Sequence, residues 1–227
     1  MTDANLYRLF LERFPSDPTA IFLDGVDGRQ LRYSEVPGRS GQMLALLQQN
    51  GVQKGDRVVV QVEKSIEAVL LYLACLRAGA IYIPLNTAYT PKELGYFLQD
   101  STPQLFVCSP DKKDALMPVV RAAGVPVVFS LGALGEGELV DVAAAAEPSE
   151  QIVEVAADDL AAILYTSGTT GLSKGAMLSH ANLASNAQVL HDYWHWQPDD
   201  VLLHALPIFH VHGLFVALHC ALLGGSR

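Results

Sequence analysis

From Arg57 onward the chain alternates short, almost continuously apolar runs with longer segments of helical character, and this alternation constrains its fold more than any other property. The runs Arg57 to Val62, Ala80 to Pro84, Gln104 to Cys108 and Val125 to Phe129 have the length and composition of strands buried on both faces. Between them lie Ser65 to Ala78, Pro91 to Gln99 and Asp111 to Ala122, each long enough for a helix. Repeated βα units of this kind predict an α/β fold, a largely parallel sheet flanked by helices on both faces. No GxGxxG follows any of these strands, so a dinucleotide fingerprint is missing.

The flanking regions are different. Ala20 to Leu23 and Gln30 to Tyr33, separated by Asp24-Gly25-Val26-Asp27-Gly28, read as a hairpin. Ser34 then reads as the N-cap of a helix that has Pro37 in its first turn and runs to about Gln49. From Leu131 to Ala157 the pattern weakens into glycines, an alanine run and Glu147-Pro148-Ser149-Glu150. This segment is expected to connect a first α/β subdomain, residues 1–157, to the start of a second, residues 158–227. The second part opens on an apolar strand, Leu160 to Tyr165, continues with a helix from Ser179 to about Tyr193, and carries a further strand at Val201 to Ala205.

With 50% hydrophobic and 17% charged residues among 227, the chain is globular in composition. Its net charge of −9 disfavours nucleic acid and anionic membranes as general partners but leaves room for one local anion site. The apolar stretches Val69 to Leu76 and Leu214 to Leu223 fall short of the roughly 20 residues a membrane span needs. Met1 to Phe14 reads as an amphipathic helix, not a secretory leader. Cys75, Cys108 and Cys220 form no CxxC pair or disulfide framework and read as buried thiols in a reducing cytoplasm.

The chemistry concentrates in Thr166-Ser167-Gly168-Thr169-Thr170-Gly171-Leu172-Ser173-Lys174, which lies between the strand ending at Tyr165 and a second apolar stretch, Ala176 to Leu178. Hydroxyls and backbone N–H groups in such a loop can converge on one anion, and glycine permits close approach. A Walker A loop needs Gly before its lysine and Ser or Thr after it, whereas Lys174 is flanked by Ser173 and Gly175. Composition alone would allow a flexible linker. The ordered run from Tyr165 to Gly175, however, resembles the phosphate-binding signature of the acyl-adenylate-forming superfamily, which includes acyl-CoA synthetases, peptide-synthetase adenylation domains and firefly luciferase. Only Ser173 departs from that signature, in place of its usual proline. The resemblance implies that Thr166, Ser167, Thr169 and Thr170 donate to ATP phosphates, that Gly168 and Gly171 let the backbone close in, and that Lys174 supplies a mobile positive charge.

A second cluster, Leu206-Pro207-Ile208-Phe209-His210-Val211-His212-Gly213, resembles the Pro-Leu-Phe-His-x-x-Gly motif of acyl-CoA synthetases. The likeness makes Phe209 and His210 walls of an acyl pocket, with His210 gating access and acting at the catalytic centre. All seven histidines lie between His180 and His219, yet no third and fourth ligand completes a transition-metal set at recognisable spacing. Tyr193-Trp194-His195-Trp196 reads as helix-end packing because no basic residues surround it.

Further stretches, Tyr82 to Thr90, Asp158 to Tyr165, Gly175 to His180 and His204 to Phe215, look like bacterial malonyl-CoA synthetases. That likeness implies an AMP-forming acid–CoA ligase: malonate or methylmalonate attacks ATP to give an acyl-adenylate and pyrophosphate, and coenzyme A displaces AMP. ATP, Mg²⁺ and coenzyme A are the implied co-substrates and cofactor, and a small carboxylate the partner. The second carboxylate of such an acid needs a cation, and Arg227 lies near the right region. The family's adenine and Mg²⁺ motif, hinge and C-terminal domain have no counterpart before residue 227, so the chain is expected to be an N-terminal fragment, inactive alone.

Overall fold

A computed structural model describes residues 3–166 and 173–227. Ser167, Gly168, Thr169, Thr170 and Gly171 of the expected phosphate loop therefore lie outside the described residues, while Thr166 and Lys174 lie within them.

Helix α1 (Leu6–Leu11) precedes an antiparallel hairpin of β1 (Ile21–Asp24) and β2 (Gln30–Arg32). The chain then enters a six-stranded sheet built from β3 (Arg57–Gln61), β4 (Ile81–Pro84), β5 (Leu105–Cys108), β6 (Val127–Ser130), β7 (Leu160–Thr166) and β8 (Lys174–Ser179), in the order β6-β5-β3-β4-β7-β8. All neighbours in it are parallel except β7 and β8. Helices α2 (Val36–Gln49), α3 (Ile66–Ala78), α4 (Pro91–Ser101), α5 (Pro110–Ala122), α6 (Glu138–Ala144), α7 (His180–Tyr193) and α8 (Leu218–Gly224) complete the chain.

Strand pleating sorts the core into two layers. On β3, Val58 and Val60 join the cluster formed with α2, α3 and α8, whereas Val59 joins Phe106, Leu94 and Leu98 under α4 and α5. This is the parallel sheet with helices on both faces that the sequence predicts. Helix starts follow the expected chemistry: Ser65 caps α3, and Thr90 and Glu93 form a reciprocal capping box on α4.

Three local expectations are corrected. Ser34 is not the cap of α2, because its hydroxyl donates to the Pro18 carbonyl at 2.9 Å and Tyr33–Glu35 form a 3-10 turn ahead of the helix. The segment from Leu131 to Ala157 holds a helix, α6, whose Leu139 and Ala143 are buried. The buried Arg77 guanidinium fixes the stretch after α6 by donating to the carbonyls of Pro37 at 2.7 Å and Ser149 at 2.6 Å. Val201 to Ala205 forms no strand among the described residues: Leu202 donates to the Arg227 carbonyl at 2.7 Å, the Ala205 N–H turns back to the Leu203 carbonyl at 3.0 Å, and Leu203 is 90% exposed. A strand needs a neighbour to satisfy its second row of backbone groups, and apolar periodicity cannot provide one.

The boundary expected between residues 157 and 158 does not interrupt the sheet, since Tyr82 of β4 pairs with Ala162 of β7. Among the described residues, no helix is long and apolar enough to cross a membrane.

Candidate functional site

Because β7 runs parallel to β4, Thr166 emerges at the carboxyl ends of the parallel strands, the edge where open α/β sheets place their ligands. Strand β8 returns antiparallel, with Tyr165 opposite Gly175 and Thr166 opposite Lys174. The Thr166 hydroxyl donates to the Lys174 carbonyl at 3.5 Å across the base of the loop. Lys174 is exposed. Gly175 is set by packing: a Cβ there would lie 2.8 Å from Ile163 Cγ2, too close to be admitted without a shift, and in ordinary contact, 3.5 Å, with Tyr165 Cε1. The Tyr165 ring packs on Phe97 of α4 with centroids 4.6 Å apart.

Beyond β8 the chain turns directly into α7 through a second capping box. Ser179 Oγ accepts from the Asn182 N–H and Asn182 Oδ1 from the Ser179 N–H, both at 3.1 Å. His180, the first residue of α7, is fully buried, and its Nδ1 accepts from the Leu6 N–H at 3.2 Å. Burial lowers its pKa to about 4, so it is neutral and serves packing. His219 on α8 is likewise buried, hydrogen-bonded to the Tyr72 hydroxyl at 2.9 Å, with its pKa lowered to about 3 by burial. Neither is a ligand, and no group of three His, Cys, Asp or Glu among the described residues could hold a metal ion.

Phe209 is half-buried and His210 exposed, their rings 4.6 Å apart and inclined at 56°. They precede a π-helical turn, His212–Ala217, an element frequent at functional sites. The glycine of this motif has a steric reason. A Cβ on Gly213 would sit 2.2 Å from the Pro207 carbonyl oxygen, so the segment Pro207 to Gly213 can fold back on itself only with glycine at its end. His204 Nε2 pairs with the Gly213 carbonyl at 2.9 Å, and Lys64 Nζ donates to the carbonyls of His204 at 2.6 Å and Leu206 at 3.2 Å. Lys64 thus pins the motif to the loop between β3 and α3. Its part was invisible in the sequence, where it is a single lysine 140 residues distant from its partner.

The structure therefore brings Thr166 and Lys174 together, and Phe209 with His210. No hydrogen bond among the described residues joins one pair to the other. Arg227 lines a cavity of about 410 Å³ with Phe22, Ile66, Val69, Lys64 and Leu218, and its guanidinium lies 3.9 Å from the Asp24 carboxylate. None of the expected phosphate or acyl residues belongs to that lining.

The fold is shared with known proteins. MatB from Rhodopseudomonas palustris superposes with a TM-score of 0.94 at 48% identity in its apo form, covering 99% of this chain and 44% of MatB. Its ATP-bound form gives the same score at 49% identity. Among curated relatives, the mitochondrial malonate–CoA ligase ACSF3 of Mus musculus is 36% identical over 203 residues, 86% of this chain and 33% of that protein. The oxalate–CoA ligase of Arabidopsis thaliana is 33% identical over 187 residues, 80% of this chain and 36% of that enzyme. The chain thus spans well under half the length of these relatives. The profile of the family described as AMP-binding enzyme matches residues 8–227, nearly the entire sequence, and the chain belongs to that family.

Proposed function

We propose that residues 1–227 form the phosphate-gripping part of an ATP-dependent malonate–CoA ligase. The observation that carries this reading is the β7–β8 hairpin, which sets Thr166 and Lys174 opposite each other at the carboxyl edge of the parallel strands. The similarity to MatB and to a malonate–CoA ligase supports the choice of acid.

In this reading the acid carboxylate attacks the α-phosphorus of ATP, the bond to the bridging oxygen breaks, and pyrophosphate leaves. The thiol of coenzyme A then attacks the acyl carbonyl, AMP departs, and the thiol proton passes to solvent. Charge builds up on the departing phosphates, where the Lys174 ammonium and the hydroxyl of Thr166, together with Ser167, Thr169 and Thr170, stabilise it. Gly168 and Gly171 give the backbone room to approach. A divalent ion neutralises phosphate charge when bound. Phe209 and His210 wall the acyl pocket, with His210 at the catalytic centre. Three free, buried cysteines fit a reducing cytoplasm as the setting.

The test joins residues 1–227 to the remaining part of the MatB fold and identifies acyl-CoA products by mass spectrometry from ATP, Mg²⁺, coenzyme A and a panel of acids. Malonyl-CoA is the expected main product. Product from acetate, oxalate, a fatty acid or coumarate without any from malonate overturns the choice of acid. Lys174→Ala should lower adenylation by about 100-fold, the loss typical of one charge-stabilising donor. Unchanged adenylation removes the phosphate-loop assignment.

A further inference from the structure

We infer that Tyr96 and Asp100 of α4 are positioning residues that hold both stems of the phosphate loop. The inference rests on the phosphate-loop reading above and adds two residues that carry no motif.

The Tyr96 hydroxyl donates to the Ser173 carbonyl at 2.7 Å, and the Tyr165 hydroxyl donates to the Asp100 carboxylate at 2.6 Å. Tyr165 and Ser173 are the residues immediately before Thr166 and Lys174, one on each side of the loop. Tyr96 and Asp100 are four apart on one helix, hence one turn apart on the same face, the spacing that lets a single rigid element grip two neighbouring strands. The helix is well placed to be rigid. Its capping box fixes the start, and Leu94, Phe97 and Leu98 are buried in the second core layer. Phe97 and Tyr96 also stand against the Tyr165 ring, at 4.6 and 6.4 Å between centroids.

Strand pairing alone does not call for these two bonds, because β7 and β8 already satisfy each other from Leu160 to Thr166. Their effect is to fix where the hairpin mouth stands relative to the sheet. The Tyr165 contact is a hydroxyl-to-carboxylate bond, of the strong class. Burial, and then the Asp100 bond, raise the Tyr165 pKa, so the phenol keeps its proton and remains the donor across the ordinary pH range. A phosphate grip acts through position, and errors of about 1 Å in a reacting group cost on the order of 100-fold. A bracket below the loop is therefore worth having even though it touches no ligand.

The test is calorimetric titration with Mg²⁺–ATP of the chain joined to the remaining part of the MatB fold, alongside its thermal midpoint, for the parent and for Tyr96→Phe, Asp100→Ala, Tyr165→Phe, Lys174→Ala and, as a control, Leu71→Ala. Loss of one bond worth about 1–1.5 kcal/mol corresponds to roughly 5–10-fold weaker ATP binding. That loss is expected in Tyr96→Phe and Asp100→Ala alongside a midpoint lowered by a few degrees, while Leu71→Ala, in the core of α3, lowers the midpoint further and binds ATP as the parent does. Asp100→Ala combined with Tyr165→Phe should weaken binding no more than either alone, because the two changes remove the same bond. If Lys174→Ala weakens ATP binding while Tyr96→Phe and Asp100→Ala bind as the parent does, the bracket is wrong and the phosphate loop stands. If Leu71→Ala weakens ATP binding as much as Tyr96→Phe and Asp100→Ala do, the loss follows stability alone and the bracket is again wrong. If the parent does not bind ATP, or Lys174→Ala binds as well as the parent, the loop reading fails and takes the bracket with it.

Discussion

Helix α3 and strand β8 are opposite kinds of element in one chain. All thirteen residues of α3, from Ile66 to Ala78, are buried, even Glu67 and Arg77. The first four residues of β8, Lys174 to Met177, are exposed, with Met177 at 66%. The helix is enclosed by α2, the sheet and α8, and each of its charges has a designated partner: Glu67 accepts from Arg29 at 2.8 Å and from Arg39 at 3.1 Å. The strand is held on one side by β7, and its first four residues lie open to solvent. The difference shows where this molecule spends its packing: on an enclosed scaffold, carrying an edge that is left accessible.

The sharpest way to break the contrast is to cut a side chain from the enclosed helix. Leu71 is fully buried, and Leu71→Ala should lower the unfolding free energy by about 2–5 kcal/mol, read from denaturant midpoints at constant slope. A loss below about 1 kcal/mol would mean that α3 relaxes around the cavity, and the enclosed-scaffold account would have to be given up.

Acid should reach the scaffold through its two buried histidines. Both His180 and His219 have folded pKa values lowered by burial, to about 4 and about 3, from an ordinary 6.5. Between the unfolded and folded values the unfolded chain takes up protons that the native state refuses, so stability falls as pH drops from about 6.5 toward 4 and is fully present above that range. The two groups together contribute a few kcal/mol, on the scale of about 1.4 kcal/mol for each pKa unit. Thermal midpoints measured from pH 7.5 to 4.5 should fall less steeply in His180→Gln and His219→Gln than in the parent. Parallel curves would place the acid sensitivity elsewhere.

These two predictions concern the part of the molecule that was legible in its sequence. The strands β3 to β6 and their helices follow from apolar runs and caps that are local, such as Ser65 before α3 and Thr90 before α4. The antiparallel return of β8 beside β7 was only implied by two apolar stretches flanking a loop, since periodicity does not encode direction. The motifs of the candidate site are local in the sequence, whereas the side chains that support them are not. Lys64, Tyr96 and Asp100 each act on residues more than 60 positions away, so no local pattern could mark them. The strand expected at Val201 to Ala205 failed for the converse reason: its apolar residues carry the pattern, but a strand is made by its neighbour.

At the hairpin the effect should be smaller than in α3. Gly175→Val adds a β-branched side chain where a Cβ already lies 2.8 Å from Ile163 Cγ2, and the Ile163 side chain must move to admit it. Overpacking of this kind costs about 1–3 kcal/mol. Ile163 methyl NMR shifts should report the displacement, and unchanged Ile163 shifts would show that its side chain does not depend on the glycine.

Smallest of all should be Leu203→Ser. Leu203 is 90% exposed, within a segment held by Lys64 and by one backbone bond to Arg227. With nothing packed over its side chain, the substitution removes little burial and opens no cavity, so stability should change by no more than about 0.5 kcal/mol. The same change replaces an apolar group in contact with water by a polar one, which should favour solubility rather than folding. A loss as large as that of Leu71→Ala would show that residues 201–206 are covered in solution, either by a second molecule or by a rearranged chain end, and sedimentation at two concentrations would separate these: only the first depends on concentration.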